Sequence, residues 1–537
     1  MSRTDKLALL LSLIAIFAAW GIARNVFENI PHLEDELAYV WQAKIMAAGE
    51  VTIPSPVEPK KFLVPFVVDY EPNGQRFGKY PLGWPALLAV GIMLGVREWV
   101  NPLLAGLAVW LTYVLGKRLM NERALGERVG LLAALLTVTS PFFLVNVGSL
   151  LSHAWGLVLS LGFVVAWWEA VGSEGAGEQG GKGEKEKRGR EEGVRWFAAV
   201  TAGTALGMLA VTRPFSAIGV AIPFGLHGLV LLVKGPKEVR GRVIVVGLLM
   251  GLVSLLVPLW QAVATGDPFL NPYTLWWPYD KVGFGPGHGV SEQGHTLRQG
   301  WINTKFALRV AYSDVFGWPK ISWIFLPFGM WAVRRNGKML LTGSVFLSLL
   351  GLYFAYWIGA WLFGPRYQFE GLYSLTLLSA AGIAWLAGWG REGEKRREGE
   401  EEKRGMGKWQ KVRSLGITAL VALLFVGNLI FYLPTRLDGM FALYGISAAR
   451  MEPFLSPEVQ KLAPAVIIVH GDKWMDYGNF LELEDPFLTT PFIFTFGDKS
   501  TLKDALQATY PERGIYHYYP DSEPYKFFTD RVPELTP

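Results

Sequence analysis

Long apolar runs recur along this sequence, and they constrain its fold more than any other feature. Runs of about 18 or more residues match the length that an α-helix needs to cross the hydrocarbon core of a bilayer. Hydrophobic residues make up 51% of the 537-residue chain, which contains 22 tryptophans. The sequence therefore predicts an all-α polytopic membrane protein. Its predicted spans, about eleven, are Leu7–Val26, Pro102–Leu119, Val129–Val147, Ala154–Val171, Trp196–Thr212, Phe215–Val233, Val243–Thr265, Ile321–Val333, Met339–Trp357, Leu372–Trp389 and Leu415–Leu433.

Positive charge predicts the orientation of these spans. The connections GKRLMNERALGER and KGPKEVRGR carry four Lys or Arg each, and RRNGK carries three. Alternating spans place all of these connections on one side with the N-terminus, which the positive-inside rule makes the inside. We therefore predict a multi-pass protein of the plasma (inner) membrane. The segments predicted outside are Glu28–Trp99, Ser149–His153, Gly266–Lys320, Gly359–Gly371 and the C-terminal tail.

Two apolar segments need separate interpretation. Leu82–Gly95 has only 14 residues, so we interpret it as an interfacial or re-entrant segment. Counting it as a span would invert every later connection and place the arginine clusters outside. Leu7–Val26 follows Arg3 and Lys6 as a signal peptide would, but its length and its unclear cleavage pattern favour an uncleaved anchor.

The predicted organisation is a membrane domain over 1–433 and an outer α/β domain over 434–537. In the α/β domain, PAVIIVHG and PFIFTFG are predicted strands and KSTLKDALQATY is a predicted helix. Within the membrane domain, residues 28–99 and 266–320 form the two long outer loops.

Two inner segments, 172–195 and 390–413, are mixtures of Gly, Glu, Lys and Arg that we predict to be flexible linkers. Their charges are mixed and aromatic residues are scarce, so the net charge of +5 does not indicate nucleic-acid binding. The absence of cysteine excludes disulfides and thiolate chemistry.

Three consecutive acids, Glu34, Asp35 and Glu36 in LEDELAY, follow the first apolar run. Acidic residues are favourable near a helix N-terminus, which would explain one or two of these carboxylates. The alternative is a catalytic carboxylate at the membrane surface, where burial and a nearby cation tune its basicity. The same loop ends in GKYPLGWP, where Lys79 is either a lysine that reaches the headgroups or a cation that binds a lipid phosphate.

These residues resemble the membrane-embedded GT-C glycosyltransferases. The shared features are an acidic DE pair after the first span, a long outer loop ending in a basic residue and YPLGWP, a short apolar segment, and a later GPRY. The likeness is greatest to the family 39-like branch that contains the lipid A aminoarabinose transferases and the protein O-mannosyltransferases. It covers about the first 230 residues well and the remainder loosely.

The resemblance implies a multi-span helical bundle with the N-terminus inside and an outer cavity. It implies a sugar donor on a polyprenyl phosphate, an acceptor that is a lipid, glycan or protein, and transfer with inversion. By the same resemblance, Asp35 matches the catalytic base and Glu36 matches the acid that follows it. Lys79, next to Tyr80, matches a basic residue suited to the lipid phosphate.

Two arginines are the further candidates for phosphate binding. Arg213, in AVTRPFSA, separates two apolar runs, and a charge there should face protein or a cavity rather than lipid; the alternative is an interfacial turn. Arg366, followed by Tyr367 in GPRYQFEGLY, has the planar fork that suits a phosphate. The alternative for Arg366 is a local pair with Glu370.

Histidines provide weaker candidates. His153, in SLLSHAWG, would contact donor or acceptor, or would be a satisfied interfacial histidine. The oligosaccharyltransferase relatives carry metal-binding acids in this short loop, and their absence here argues against a metal requirement. His288 and His295 with Asp280 match no tight metal-ligand spacing. We therefore expect no cofactor.

The sequence thus favours a membrane glycosyltransferase that uses a polyprenyl-phosphate-sugar. Its main rival is a transporter or flippase of lipid-linked sugars. That rival predicts carboxylates at the bilayer midplane and repeated halves, whereas the charged groups here collect at the outer rim and no repeat is evident.

Overall fold

The computed structural model describes residues 2–172, 182–389, 403–471, 473–497, 502–520, 527–530 and 532. Every predicted apolar run contains helix. The helices are α1 (Arg3–Asn25), α2 (Glu34–Ala47), α3 (Gly83–Met93), α4 (Val100–Leu119), α5 (Arg123–Val138), α6 (Pro141–Gly148), α7 (His153–Ala170), α8 (Lys182–Thr212), α9 (Pro214–Lys234), α10 (Lys237–Ser254), α11 (Leu256–Thr265), α12 (Pro272–Trp276), α13 (Leu297–Asp314), α14 (Leu326–Ala332), α15 (Gly337–Tyr353), α16 (Leu372–Ala387), α17 (Lys403–Gly427), α18 (Leu433–Asp438), α19 (Glu452–Leu455), α20 (Pro457–Gln460), α21 (Trp474–Gly478) and α22 (Leu502–Thr509). The strands are β1 (Ile53–Pro54), β2 (Val67–Tyr70), β3 (Gln75–Gly78), β4 (Ala465–Val469), β5 (Phe492–Phe496), β6 (Gly514–Tyr518) and β7 (Phe527–Phe528).

Seven helical segments in the described part of the chain are long and apolar enough to cross a membrane, or eight if the bent pair of α5 and α6 counts as one span. Helices α14 and α15, which lie in two of the predicted spans, have only 7 and 17 residues. A helix rises about 1.5 Å per residue, so α14 alone is too short to cross the hydrocarbon core. The total of about eleven spans and the inside position of the N-terminus remain predictions.

Helix α3 occupies the segment that was too short for a span. It has 11 residues, and its buried side chains include Trp84 and Leu88. A β-carbon on Gly83 would lie 2.9 Å from the carbonyl oxygen of Val211, so α3 packs closely against the end of α8. The segment is therefore a short helix held against the bundle.

The two charged inner segments are only partly covered by the description. Residues 173–181 and 390–402 lie outside the described residues. The remainder differs from the linker prediction, because α8 already begins at Lys182 and α17 at Lys403. Glu, Lys and Arg are good helix formers, so an apolar span can extend into such a sequence as helix.

An antiparallel sheet in the first long loop was not predicted. Its strand order is β1-β3-β2, and β2 pairs with β3 from Val67 opposite Gly78 to Tyr70 opposite Gln75. The sheet is fixed to α2 because the Gly78 amide donates to the side-chain oxygen of Gln42 at 2.8 Å. This contact places the end of β3 beside the middle of α2.

The C-terminal region contains the predicted strands and helix. Strand β4 pairs in parallel with β5 and β6, and β7 completes the order β5-β4-β6-β7. All five residues of β4 are buried. The region contacts α2 through Lys44, whose ammonium donates to the carbonyl oxygens of Leu481, Glu482 and Glu484 at 3.3, 3.1 and 2.8 Å. The domain boundary at residue 434 remains a prediction.

Candidate active site

The acidic cluster begins helix α2, and its members have different surroundings. Glu36 is buried, and its carboxylate accepts the amide hydrogens of His32 at 2.7 Å, Leu33 at 3.1 Å and Leu150 at 2.7 Å. Two of these bonds cap the helix, and the third ties it to the turn before α7. Glu36 is therefore engaged in holding the start of α2, and its predicted catalytic role has no support from its contacts.

The buried carboxyl of Glu36 should make the free energy of unfolding depend on pH. Burial raises the pKa of its carboxyl from 4.5 to about 7, outweighing the three amide donors, which lower it. The folded protein thus retains a proton that the unfolded chain releases. The free energy of unfolding should fall as pH rises from about 5 to 7, by up to about 1.4 kcal/mol per pH unit.

Thermal unfolding of the detergent-solubilised protein across this pH range measures the effect. Glu36→Gln cannot titrate, so we expect the variant to show a shallower fall. Equal pH dependence in the two proteins would contradict the assignment to Glu36.

The Asp35 carboxylate contacts two other predicted site residues, Tyr80 and Arg366. One of its oxygens accepts the Tyr80 hydroxyl, and the other lies 3.2 Å from Nη1 of Arg366. The side chains of Asp35 and Arg366 are 19% and 20% exposed, so the pair is accessible at an edge rather than sealed. The first long loop and the GPRY turn before α16 thus meet at one carboxylate.

Lys79 lies one residue away from this contact, in an aromatic enclosure. Its ammonium is 3.5 Å from the ring centroid of Phe66 and 4.7 Å from that of Trp277. It pairs with Asp280 at 3.6 Å. Burial lowers the pKa of Lys79, and Asp280 opposes that shift. The lysine is only 2% exposed, so it is not the headgroup-reaching lysine of the alternative interpretation.

Arg213 lies between α8 and α9, where Pro214 takes the first helical position. Its Nε lies 2.6 Å from Oε1 of Glu370, which is fully buried. Glu370 therefore pairs with Arg213. The alternative interpretation, a local pair between Glu370 and Arg366, is wrong. The close approach requires glycine at position 156, because a β-carbon there would lie 2.6 Å from the same carboxylate oxygen.

Hydroxyl groups connect Arg213 to the Asp35 side of the site. Ser152 Oγ lies 3.3 Å both from Nη1 of Arg213 and from the hydroxyl of Tyr39. The ring of Tyr39 in turn packs against Tyr80, with centroids 4.7 Å apart. Asp35 and Arg213 therefore belong to one polar cluster at the same end of the helices.

Tyr367 completes the cluster on the Arg366 side. Its ring stacks on Tyr353 with centroids 4.6 Å apart, and the Tyr353 hydroxyl lies 2.9 Å from Oγ of Ser216. Ser216 also accepts from Nε of Arg213 at 3.4 Å. Through Tyr353 and Ser216, Tyr367 thus connects its chain neighbour Arg366 to Arg213.

The histidines have other surroundings. His153 is buried against Phe369, with ring centroids 6.0 Å apart, and neither ring nitrogen has a hydrogen-bond partner in the described residues. His295 Nε2 lies 3.0 Å from the carbonyl oxygen of Phe354, and His288 Nδ1 lies 3.3 Å from that of Gly285. Across the described ranges, no group of three or more His, Asp or Glu is placed to hold a metal ion.

Comparison with known proteins identifies the fold. No family model matches the sequence, and no curated protein matches it. The crystal structure of ArnT from Cupriavidus metallidurans bound to undecaprenyl phosphate does match, with a TM-score of 0.54 and 14% identity over 96% of this chain and 90% of that chain. The apo state of the same protein matches with a TM-score of 0.52 and 13% identity over 94% and 88%. The chain has the ArnT fold. At these identities the likeness is one of fold, and it confirms the predicted fold class, a helical membrane protein with a small C-terminal sheet region.

Within this ArnT-like fold, the described residues around the site include several that the sequence analysis had not assigned to it. Glu370 had been considered only as a partner of Arg366, and Asp280 only as a weak metal ligand. Phe66 and Trp277 enclose Lys79 but belong to loops whose aromatic residues are typical of an interface belt. The sequence signal for Asp280 was its place as the lone acid in WWPYD, because a carboxylate in an aromatic segment requires a partner when it is buried.

Proposed function

We propose that this chain is an integral membrane glycosyltransferase that uses a sugar on a polyprenyl phosphate. One observation carries the proposal: the Asp35 carboxylate lies 3.2 Å from the Arg366 guanidinium, at the edge of a cluster with two further cations. This arrangement occurs in a fold shared with ArnT, whose structure contains bound undecaprenyl phosphate. A carboxylate beside several cations is what transfer from a phosphate leaving group requires.

Asp35 is the proposed general base. The acceptor hydroxyl or amine gives its proton to the Asp35 carboxylate while its oxygen or nitrogen bonds to the anomeric carbon. The bond from that carbon to the phosphate oxygen breaks, and its electron pair remains on the polyprenyl phosphate. Attack opposite the leaving group inverts the anomeric centre. Tyr80 and Arg366 each contact one carboxylate oxygen, and each oxygen has a further lone pair for the incoming proton.

Arg366, Lys79 and Arg213 are the proposed phosphate-binding cations. Each is paired with a carboxylate in the structure, namely Asp35, Asp280 and Glu370. These pairs keep the cations compensated before the donor arrives. As the leaving phosphate gains charge, fixed cations in a water-poor site stabilise it more than water would. Tyr80, Tyr367 and His153 remain proposed donor or acceptor contacts.

We place the reaction at the outer face of the plasma (inner) membrane, with a lipid, glycan or protein as acceptor and no metal cofactor. Apart from Asp35, which lies in the first turn of α2, the acidic and basic groups of the cluster come from connections between helices, as expected of chemistry at a membrane surface. A flippase would place its charged groups within the spans. The rival transport function is therefore not favoured.

Release of free polyprenyl phosphate tests the proposal. The detergent-solubilised protein is incubated with a panel of polyprenyl-phosphate sugars, with and without membrane extract as the acceptor source. We expect one donor to yield free polyprenyl phosphate by mass spectrometry only when the extract is present. No release from any donor, together with donor movement across vesicles that contain the protein, would replace this proposal with transport.

A further inference from the structure

The surroundings of Lys79 form a site for an anion. The Lys79 ammonium contacts the faces of four aromatic rings: Phe66, Tyr80, Tyr273 and Trp277. Aromatic faces attract a cation, but they do not neutralise it. A buried ammonium still requires a hydrogen-bonding or anionic partner.

Asp280 supplies that anion. Its Oδ2 lies 3.6 Å from Nζ of Lys79, and its Oδ1 accepts from the hydroxyl of Tyr356 at 2.7 Å and from the indole N–H of Trp357 at 3.0 Å. The carboxylate is thus surrounded by one cation and two neutral donors. The same three groups would suit a phosphate oxygen, since both anions accept hydrogen bonds and prefer cationic donors.

The backbone around Lys79 is held in an uncommon conformation. Phe66 has a φ of +61°, and its carbonyl oxygen accepts from the Lys79 amide at 2.9 Å. A bulky residue with positive φ is rare and persists only where its surroundings hold it, as at binding sites. The ammonium of Lys79 is therefore held in place by its backbone, whereas its partner Asp280 precedes a glycine-rich segment.

The segment that follows Asp280 is rich in glycine. Gly283, Gly285, Gly287 and Gly289 have φ values of +132°, +92°, +81° and +83°, a region that glycine adopts without the usual steric cost. A β-carbon on Gly283 would lie 2.9 Å from Nε2 of His288. The conformation that this segment adopts next to Asp280 thus depends on glycine, whose backbone freedom also permits other conformations.

We infer that Asp280 occupies the place of the donor phosphate and must leave Lys79 when the donor binds. This inference rests on the proposed function, because it takes the anion to be the phosphate of a polyprenyl-phosphate-sugar. Lys79 is 2% exposed while Asp280 is in place, so a ligand phosphate reaches the ammonium only after Asp280 withdraws. Asp280 is then an internal competitor that keeps Lys79 compensated between catalytic cycles.

The affinity of the full-length protein for polyprenyl phosphate, measured in detergent by microscale thermophoresis, tests the inference. Asp280→Asn removes the competing charge. If the occupied state predominates about ten to one, this variant should bind about tenfold more tightly than the wild type. Lys79→Met should bind more weakly. Asp267→Asn, an exposed acid of the same loop, is the matched control and should leave the affinity unchanged.

A second variant leaves both charged groups intact. Gly283→Ala adds a β-carbon where φ is +132° and where His288 is close. It therefore disfavours the conformation of the glycine-rich segment that follows Asp280 in this structure. We expect Gly283→Ala to tighten polyprenyl phosphate binding as well, which keeps the test usable if Asp280→Asn does not fold.

The outcomes separate the inference from the proposed function. Wild-type binding that neither variant tightens, or that Asp280→Asn weakens, overturns the inference and makes Asp280 a positioning residue for Lys79. If Asp280→Asn and Gly283→Ala bind polyprenyl phosphate and the wild type does not, the result supports the inference, with Asp280 almost always in place at Lys79. No binding by the wild type or by either variant overturns both the inference and the proposed donor.

Discussion

Asp35→Asn is expected to lower the rate of sugar transfer by about 10²–10⁴-fold, the usual contribution of a general base. Asparagine has nearly the same shape and can still accept a hydrogen bond from Tyr80. It cannot take the acceptor proton, and it loses the ionic contact with Arg366 at 3.2 Å. The measurement is the initial rate of polyprenyl phosphate release with a saturating acceptor extract.

The matched control for Asp35→Asn is Glu71→Gln, an exposed acid of the same predicted loop. This variant removes the same charge from a residue outside the polar cluster around Asp35, and its rate should equal that of the wild type. Polyprenyl phosphate binding should persist in Asp35→Asn, because the remaining cations are unchanged. An Asp35→Asn protein that is folded and transfers sugar at the wild-type rate would remove Asp35 from the mechanism.

Arg213→Met is expected to destabilise the protein by about 3–5 kcal/mol, because it leaves Glu370 buried without its cation. The side chain of Glu370 is fully buried, and the pair is 2.6 Å apart. Methionine keeps most of the arginine stem and its packing, so the effect reports the lost charge. The measurement is the thermal unfolding midpoint in detergent, supported by urea unfolding where it is reversible.

The double variant Arg213→Met/Glu370→Gln decides how the loss is interpreted. With the buried charge removed as well, most of the stability should return. Polyprenyl phosphate binding should remain weaker than in the wild type if Arg213 also contacts the donor. Equal destabilisation by the single and double variants would show that packing, and not the ion pair, holds this junction.

The helices of this protein could be predicted from the sequence because each apolar run satisfies its backbone hydrogen bonds locally. The runs around α1 and α9 correspond closely to the helices in the structure. The 14-residue segment forms the 11-residue helix α3, and its interfacial or re-entrant position stays a prediction. Strand β4 lies within the predicted strand PAVIIVHG, and the structure shows that all five of its residues are buried.

Other features could not be predicted from local pattern. The sheet formed by β1, β2 and β3 depends on pairing between short strands that carry no strong alternation. The helical extension of α8 back to Lys182 depends on whether a charged segment continues an adjoining span. A pair between Arg366 and Glu370 was the alternative because the two residues are four apart. This turn is a 3₁₀-helix, where that spacing does not bring the two side chains together as it does on an α-helix.

The features of the candidate site also fall into those that the sequence determined and those that only the tertiary structure decided. The sequence by itself determined the long helices, the short α3 and the chemical types of the candidate groups, because length, apolarity and charge act locally. Only the tertiary structure decided that Asp35 meets Arg366, that Glu36 accepts from the amide of Leu150, and that Asp280 covers Lys79. These pairs join residues far apart in the chain. Their partners are chosen by the requirement that each buried charge find an opposite charge or a donor, which depends on how the helices and loops pack together.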